Sequence, residues 1–238
     1  MGKFHDFLWE TDKPEFTLRT SYLIPESALR VYRGLAFFLA AFIYFWTIES
    51  VVSSLPYLTD WGIIFVGSYF LCSSLCYFIY KGEEDVDVKK PVSFWKFVVI
   101  LCEITFSVEV LIPIYYWALL YPDSPGDQEG IYFVKTVLEH AVTPALIYIE
   151  MAFGGVRFYK RHVFFIILVG LFYILCNYIA TVVRGEPVYD NLTWEDITTF
   201  YFLLAAVGLS LFGFVVGLGI SKLKTKRTNE VGGRYTNL

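Results

Sequence analysis

Residues 162–183 read HVFFIILVGLFYILCNYIATVV and contain no Asp, Glu, Lys or Arg. A helix needs about 20 apolar residues to cross roughly 30 Å of hydrocarbon. This run is therefore long enough to cross a membrane by itself. Only 18% of the 238 residues are charged, a fraction well below that of an average soluble domain. The composition thus indicates that lipid is the solvent for most of the chain.

Five further runs repeat this pattern. Together the apolar runs predict six membrane-spanning helices, at residues 31–53, 57–80, 94–121, 131–154, 162–183 and 197–221. The predicted fold class is all-α: a polytopic membrane protein with a six-transmembrane-helix bundle over residues 31–221. Residues 1–30 form a polar N-terminal segment, and residues 222–238 form a basic polar C-terminal tail. We expect a kink at Pro144, because proline frees a backbone carbonyl that neighbouring helices must satisfy.

The basic residues give an independent test of the number of spans. All but two of the 19 Lys and Arg residues fall in segments that six spans place on one side of the membrane. The exceptions are Lys135 and Arg184. Basic residues are enriched on the cytosolic side of membrane proteins. The pattern therefore predicts that both termini are cytosolic, or on the equivalent matrix side.

Composition also limits the partners and cofactors. A net charge of -4 and a pI near 5.4 indicate no basic patch, so nucleic acid is excluded as a partner. Membrane lipids are the expected surroundings. The first 30 residues resemble neither a secretory signal nor a mitochondrial transit peptide. No cofactor or metal site is predicted, because the cysteines lie inside predicted spans and are better explained by packing; they are Cys72, Cys76, Cys102 and Cys176. A glycosylation sequon begins at Asn191.

Ionisable residues inside a span are costly and call for an explanation. They are Glu49, Glu103, Glu109, Glu139, His140 and Glu150. His140 is the only histidine well inside the predicted bilayer. One interpretation is a general base or proton relay; the other is a structural residue that forms hydrogen bonds across helices. Glu139 is about 100° around the helix and cannot orient His140 directly.

The fourth span reads HAVTPALIYIEM over residues 140–151, so that Glu150-Met151 follow His140 by ten residues with a proline between them. This pattern resembles the signature of the androgen-induced gene family, which includes the androgen-dependent TFPI-regulating protein. The segment at residues 57–59, Tyr-Leu-Thr, is similar to that family's aromatic-Leu-Thr. Residues 185–189, Gly-Glu-Pro-Val-Tyr, are similar to its Gly-x-x-Val-Tyr. The likeness covers about residues 30–222. More distantly, the chain resembles the rolling-stone family of multipass proteins.

The resemblance implies a function. Members of the androgen-induced gene family are multipass threonine hydrolases that cleave fatty acid esters of hydroxy fatty acids. Carried over, Thr59 would be the catalytic nucleophile and His140 its base, with a lipid substrate in an endoplasmic reticulum or plasma membrane. A threonine hydroxyl needs an adjacent base to attack an ester. We therefore expect Thr59 and His140 to converge in one cavity walled by the second and fourth spans.

Two other functions remain open at this stage. The chain could be a non-enzymatic accessory or scaffold subunit of a large membrane complex, for example a respiratory one, with other membrane protein subunits as partners. The mitochondrial inner membrane is then the alternative location. A transporter rests only on Glu103, Glu109 and His140, and no internal repeat supports it.

Overall fold

The computed structural model describes residues 8–9, 18, 21, 23–47, 55–80, 94–123 and 128–235, with side chains described as far as residue 224 except at Asp123. Throughout these residues the regular secondary structure is helical, apart from a single backbone bridge between Ser21 and Gly154. Glu49 and the loop at residues 82–92 lie outside the described residues.

Seven α-helices follow one another along the described chain. They are α1 (Glu26–Thr47), α2 (Leu58–Ile79), α3 (Phe94–Tyr115), α4 (Gly130–Val137), α5 (Thr143–Phe153), α6 (Val163–Arg184) and α7 (Ile197–Tyr235). Two π-helical turns interrupt the series, at Tyr116–Leu120 after α3 and at Leu138–Val142 between α4 and α5. Five helices are long and apolar enough to cross a membrane: α1, α2, α3 with its π turn, α6 and α7. The chain is thus an all-α polytopic membrane protein.

The predicted fourth span is built from three pieces. α4, the π turn and α5 follow one another without a break from Gly130 to Phe153. At the end of α5, Gly154 pairs with Ser21 of the N-terminal segment and accepts a hydrogen bond from Lys224 Nζ at 2.6 Å. Residues close to both termini therefore meet at one end of the bundle, which we call the terminal end. The two segments lie at the same end of the bundle only if the chain crosses the bundle an even number of times between them. The sixth crossing is the helical run from Gly130 to Phe153, which we call the α4–α5 rod.

Within the described residues, the helix boundaries agree with the predicted spans except at two places, and the predicted outer end of the first span, residues 48–53, lies outside the described residues. α1 begins at Glu26 rather than at residue 31, and α7 continues to Tyr235 rather than stopping at residue 221. In both cases the extension is polar, so the hydropathy pattern did not reveal it. Glu26 in the first turn favours α1, because a negative charge stabilises the N-terminal end of a helix. Lys224 anchors the added turns of α7 through its bond to Gly154.

Pro144 has the effect expected from the sequence. It follows the π turn directly and has no N–H for the carbonyl of His140, four residues earlier. That carbonyl instead accepts a hydrogen bond from the indole N–H of Trp117, at 3.2 Å, in the π turn that follows α3. The prediction that a neighbouring helix satisfies the freed carbonyl is therefore confirmed.

The N-terminal segment contributes to the core of the terminal end. Trp9 is buried and packs edge-on against Trp95 and His162, with ring centroids 5.0 and 4.6 Å away. Leu18 is also buried, and its carbonyl accepts a hydrogen bond from Arg33 of α1. Aromatic and aliphatic side chains from a mainly polar segment therefore close this end of the bundle.

Candidate active site

Thr59 is the second residue of α2, and two tyrosines hold the turn that leads into this helix. The Pro56 carbonyl accepts a hydrogen bond from the Tyr173 hydroxyl at 2.8 Å. The Leu58 N–H, one of the amides without a partner inside the helix, donates to the Tyr189 hydroxyl at 2.9 Å. Burial raises the pKa of Tyr189, in the loop after α6, to about 12, so its hydroxyl stays protonated at neutral pH. α6 and the following loop thus fix the position of Thr59.

His140 lies in the middle of the π turn between α4 and α5. A π turn adds one residue to a helical turn and changes the direction in which its side chains point; such turns occur often at functional sites. Here the turn precedes Pro144, which cannot continue the regular hydrogen-bond ladder. The break in the ladder therefore allows the His140 side chain to point toward the start of α2, where Thr59 lies.

The structure brings Thr59 and His140 together. The Thr59 hydroxyl oxygen lies 3.2 Å from His140 Nε2, within hydrogen-bond range. On the other side of the ring, His140 Nδ1 lies 3.1 Å from the Thr136 backbone carbonyl. A carbonyl can only accept, so Nδ1 carries the hydrogen in the neutral imidazole. Nε2 then has its lone pair free to accept the Thr59 hydroxyl proton.

Two further contacts define the surroundings of the imidazole. His140 is only 6% exposed, and the Tyr116 ring stacks on it with centroids 3.5 Å apart and planes 17° apart. The carboxylate of Glu139 comes no closer than 4.0 Å to Nδ1, which is beyond hydrogen-bond distance. The backbone carbonyl of Thr136, and not Glu139, therefore orients the ring, in agreement with the expectation from helical spacing.

Thr59 also lines an apolar cavity of about 170 Å³. Its walls come from the start of α2, from α3 with its π turn, from α6 and the loop after it, and from the first half of α7. Neither His140 nor any other residue of α4 or α5 lines it. The prediction of a cavity walled by the second and fourth spans is therefore wrong, because this cavity lies among the second, third, fifth and sixth spans. Three cavity-lining side chains are at the same time exposed on the outside of the bundle: Ile167 at 45%, Leu171 at 59% and Val207 at 39%. The cavity therefore adjoins the lipid-facing surface along α6 and α7, and an apolar chain can reach Thr59 from the side.

In the described part of the chain, three of the acidic residues predicted inside the spans, Glu103, Glu109 and Glu150, form no hydrogen bond or ion pair with the candidate nucleophile or base. Glu103 binds His162, with Oε2 to Nδ1 at 2.6 Å. Glu150 forms an ion pair with Arg33 at 2.5 Å. Both pairs are buried near the terminal end and have structural roles there. The Glu109 carboxyl is buried in α3 and has no hydrogen-bond partner among the described residues.

Sequence reasoning singled out Thr59 and His140 and missed most of the residues that position them. Tyr173, Tyr116 and Trp117 carried no signal beyond being aromatic residues of membrane helices. Tyr189 is different, because it ends the Gly-x-x-Val-Tyr motif at residues 185–189. Its hydroxyl accepts the bond from the start of α2, so the motif supplies a support for the Thr59 turn.

Comparison of the chain with protein-family models, with curated proteins and with solved structures finds no match. The resemblance to the androgen-induced gene family therefore rests on the three short motifs of the sequence and carries only a proposal about function.

Proposed function

We propose that this protein is an intramembrane lipid ester hydrolase in which Thr59 is the nucleophile and His140 the general base. One observation carries the proposal: the 3.2 Å contact between the Thr59 hydroxyl and His140 Nε2. Nucleophile and base within hydrogen-bond reach, with the base oriented by a third group, is the arrangement that activates a hydroxyl. Here the third group is the Thr136 carbonyl.

The reaction follows from this geometry. His140 Nε2 takes the hydroxyl proton as the Thr59 oxygen attacks the ester carbonyl carbon. Thr59 lies in the first turn of α2, where the helix dipole favours the negative charge that develops. His140 then returns the proton to the departing alcohol, which leaves an acyl-threonine. A water molecule activated by the same imidazole hydrolyses this intermediate and restores the Thr59 hydroxyl.

The cavity supports a lipid substrate. Its walls are mainly apolar, Thr59 is among its lining residues, and it adjoins the lipid-facing side of α6 and α7. An acyl chain entering there from the bilayer would pass from one apolar environment to another, so it would not have to enter water to reach Thr59. Fatty acid esters of hydroxy fatty acids, the substrates of the family that the motifs resemble, are esters of this kind. By the same resemblance we place the protein in the endoplasmic reticulum or plasma membrane.

A fluorophosphonate probe tests the proposal, because an activated hydroxyl attacks phosphorus and displaces fluoride. We expect the purified wild-type protein to be labelled. Thr59→Ala should abolish labelling, and Thr59→Ser should retain it because serine keeps the attacking oxygen. His140→Ala should reduce labelling nearly as far as Thr59→Ala, since the two residues act as one unit.

The matched control is Thr105→Ala. Thr105 is a buried threonine of α3 whose hydroxyl bonds only the Leu101 carbonyl of its own helix, at 2.6 Å. This variant should be labelled like the wild type. Labelling that persists in Thr59→Ala would show another nucleophile. Absence of wild-type labelling, with co-purified membrane proteins lost from His140→Ala, would instead support the accessory-subunit function.

A further inference from the structure

The hydroxyl of Tyr115 is buried and has no hydrogen-bond partner among the described residues. Tyr115 is the last residue of α3, and its ring packs edge-on against Phe202 of α7 with centroids 6.1 Å apart. A buried tyrosine usually finds a partner for its hydroxyl, because an unpaired polar group in apolar surroundings costs stability. The unpaired donor therefore calls for an explanation.

The position of this hydroxyl suggests what its partner is. Tyr115 lines the same cavity as Thr59 and Tyr189. The Tyr173 hydroxyl of this wall donates to the Pro56 carbonyl, and the Ser210 hydroxyl donates to the carbonyl of the preceding turn of α7. Tyr115 thus brings an unpaired phenol to the wall of the apolar cavity that the candidate nucleophile also lines.

We infer that the Tyr115 hydroxyl donates a hydrogen bond to the carbonyl oxygen of the ester that Thr59 attacks. This inference rests on the proposed hydrolase function. As the bond between the Thr59 oxygen and the carbonyl carbon forms, the C=O electron pair moves onto the carbonyl oxygen. A fixed donor in a low-dielectric site stabilises that oxyanion more than the neutral carbonyl. The phenol keeps its proton throughout, and the hydroxyl proton of Thr59 goes to His140.

Tyr115→Phe is the test, because it removes one oxygen and leaves the ring packed against Phe202. We propose to measure kcat and KM for a long-chain 4-nitrophenyl ester with the full-length protein in lipid nanodiscs. Loss of one oxyanion donor typically lowers kcat by about 100-fold or more. KM should change little, and the Tm should stay equal or rise, since the lost hydroxyl has no partner in the folded protein.

Tyr148→Phe is the matched control. Its hydroxyl donates to the Glu109 carbonyl at 2.6 Å and does not line the cavity, so the variant should lose Tm and keep kcat. The inference is overturned if Tyr115→Phe keeps kcat within about twofold of the wild type. It is also overturned if kcat falls only together with Tm. Thr59-dependent turnover that survives Tyr115→Phe refutes this inference alone, whereas a wild type with neither turnover nor phosphonate labelling refutes the hydrolase function as well.

Discussion

At the scale of single residues, His140 shows how an imidazole inside membrane helices can be oriented without a carboxylate. In water-exposed triads a buried acid holds the second ring nitrogen. Here the Thr136 carbonyl, one turn earlier on the same rod, takes that place at 3.1 Å. A carbonyl fixes the same tautomer and adds no charge to the hydrocarbon, where an ionised group is expensive. A neutral carbonyl is therefore a less costly acceptor for this histidine in hydrocarbon than a carboxylate would be.

Arg33 and Glu150 form a buried pair of opposite charges at the terminal end. Arg33 binds both carboxylate oxygens of Glu150, and Tyr69 donates to the same carboxylate at 2.9 Å. We predict that Arg33→Met lowers the free energy of unfolding by about 3–5 kcal/mol, because Glu150 is left as an uncompensated buried charge. Denaturant titration in mixed micelles measures the change.

A second variant separates charge from packing. Arg33→Met combined with Glu150→Leu removes both charges, and it should recover most of the lost stability. Arg30→Met on the exposed side of the same helix is the control; it loses only a contact with the Tyr77 ring, at 4.4 Å, and should cost about 1 kcal/mol or less. A double variant no more stable than Arg33→Met alone would contradict the charge-pairing explanation.

At the scale of elements, α3 with its π turn and the α4–α5 rod each donate a hydrogen bond to the backbone carbonyl that a proline leaves unpaired in the other. Pro113 of α3 frees the Glu109 carbonyl, which accepts a hydrogen bond from Tyr148 of α5 at 2.6 Å. In the other direction, Trp117 in the π turn after α3 donates to the His140 carbonyl, which Pro144 leaves without its helical partner. Unpaired backbone groups are not tolerated in hydrocarbon, so each proline requires the other rod as its neighbour. The two bonds therefore fix the register of α3 against the α4–α5 rod.

Only some of the glycines in α7 lie so close to a neighbouring residue that a larger side chain would not fit. The G-x-x-x-G at Gly213 and Gly217 predicts close helix packing. A Cβ on Gly213 would lie 2.9 Å from Val110 of α3, and one on Gly217 would overlap the ring of Phe158. By contrast, a Cβ on Gly219 would meet nothing within 4 Å. The close contacts are thus made by Gly213 and Gly217, and the second of them is made with a loop residue.

These contacts lead to a paired prediction about alanine. Gly217→Ala should lower the free energy of unfolding by about 1–3 kcal/mol, because the added methyl overpacks the buried ring of Phe158. Gly219→Ala, two residues along the same helix, should be neutral or stabilising by up to about 1 kcal/mol, since alanine is the better helix former. Thermal unfolding of the two variants in the same detergent compares them; equal Tm values would rule out the close contact at Gly217.

At the scale of the whole molecule, one residue of the N-terminal segment and one residue of the last helix meet at Gly154. Ser21 pairs with Gly154, the Ser21 hydroxyl donates to the Phe153 carbonyl at 2.6 Å, and Lys224 donates to the Gly154 carbonyl. The opposite end holds the Thr59 turn and the loop after α6. This arrangement, together with the bias of basic residues, predicts a single orientation in the membrane.

Labelling from one side of the membrane tests this orientation. We expect Glu84→Cys in the second-to-third loop and Asn229→Cys in the tail to react with an impermeant maleimide from the same face of sealed vesicles. Glu186→Cys, whose side chain is 68% exposed in the loop after α6, should react only from the other face. The natural cysteines fall within the helices and are out of reach of such a reagent. Reaction of the first two positions from opposite faces would contradict six crossings.

The sequence by itself determined the helical fold, because a run of about 20 apolar residues has few other stable forms in lipid. It also singled out Thr59 and His140, through motifs and the cost of an ionisable group in a span. The contact between these residues and the cavity beside Thr59 were decided by the tertiary structure. Each depends on atoms far apart in the chain: the Tyr189 support, the Trp117 bond and the gap beside α6. Hydropathy reports which residues face lipid or core, but not where a proline-broken helix turns its side chains or which neighbour completes its hydrogen bonds.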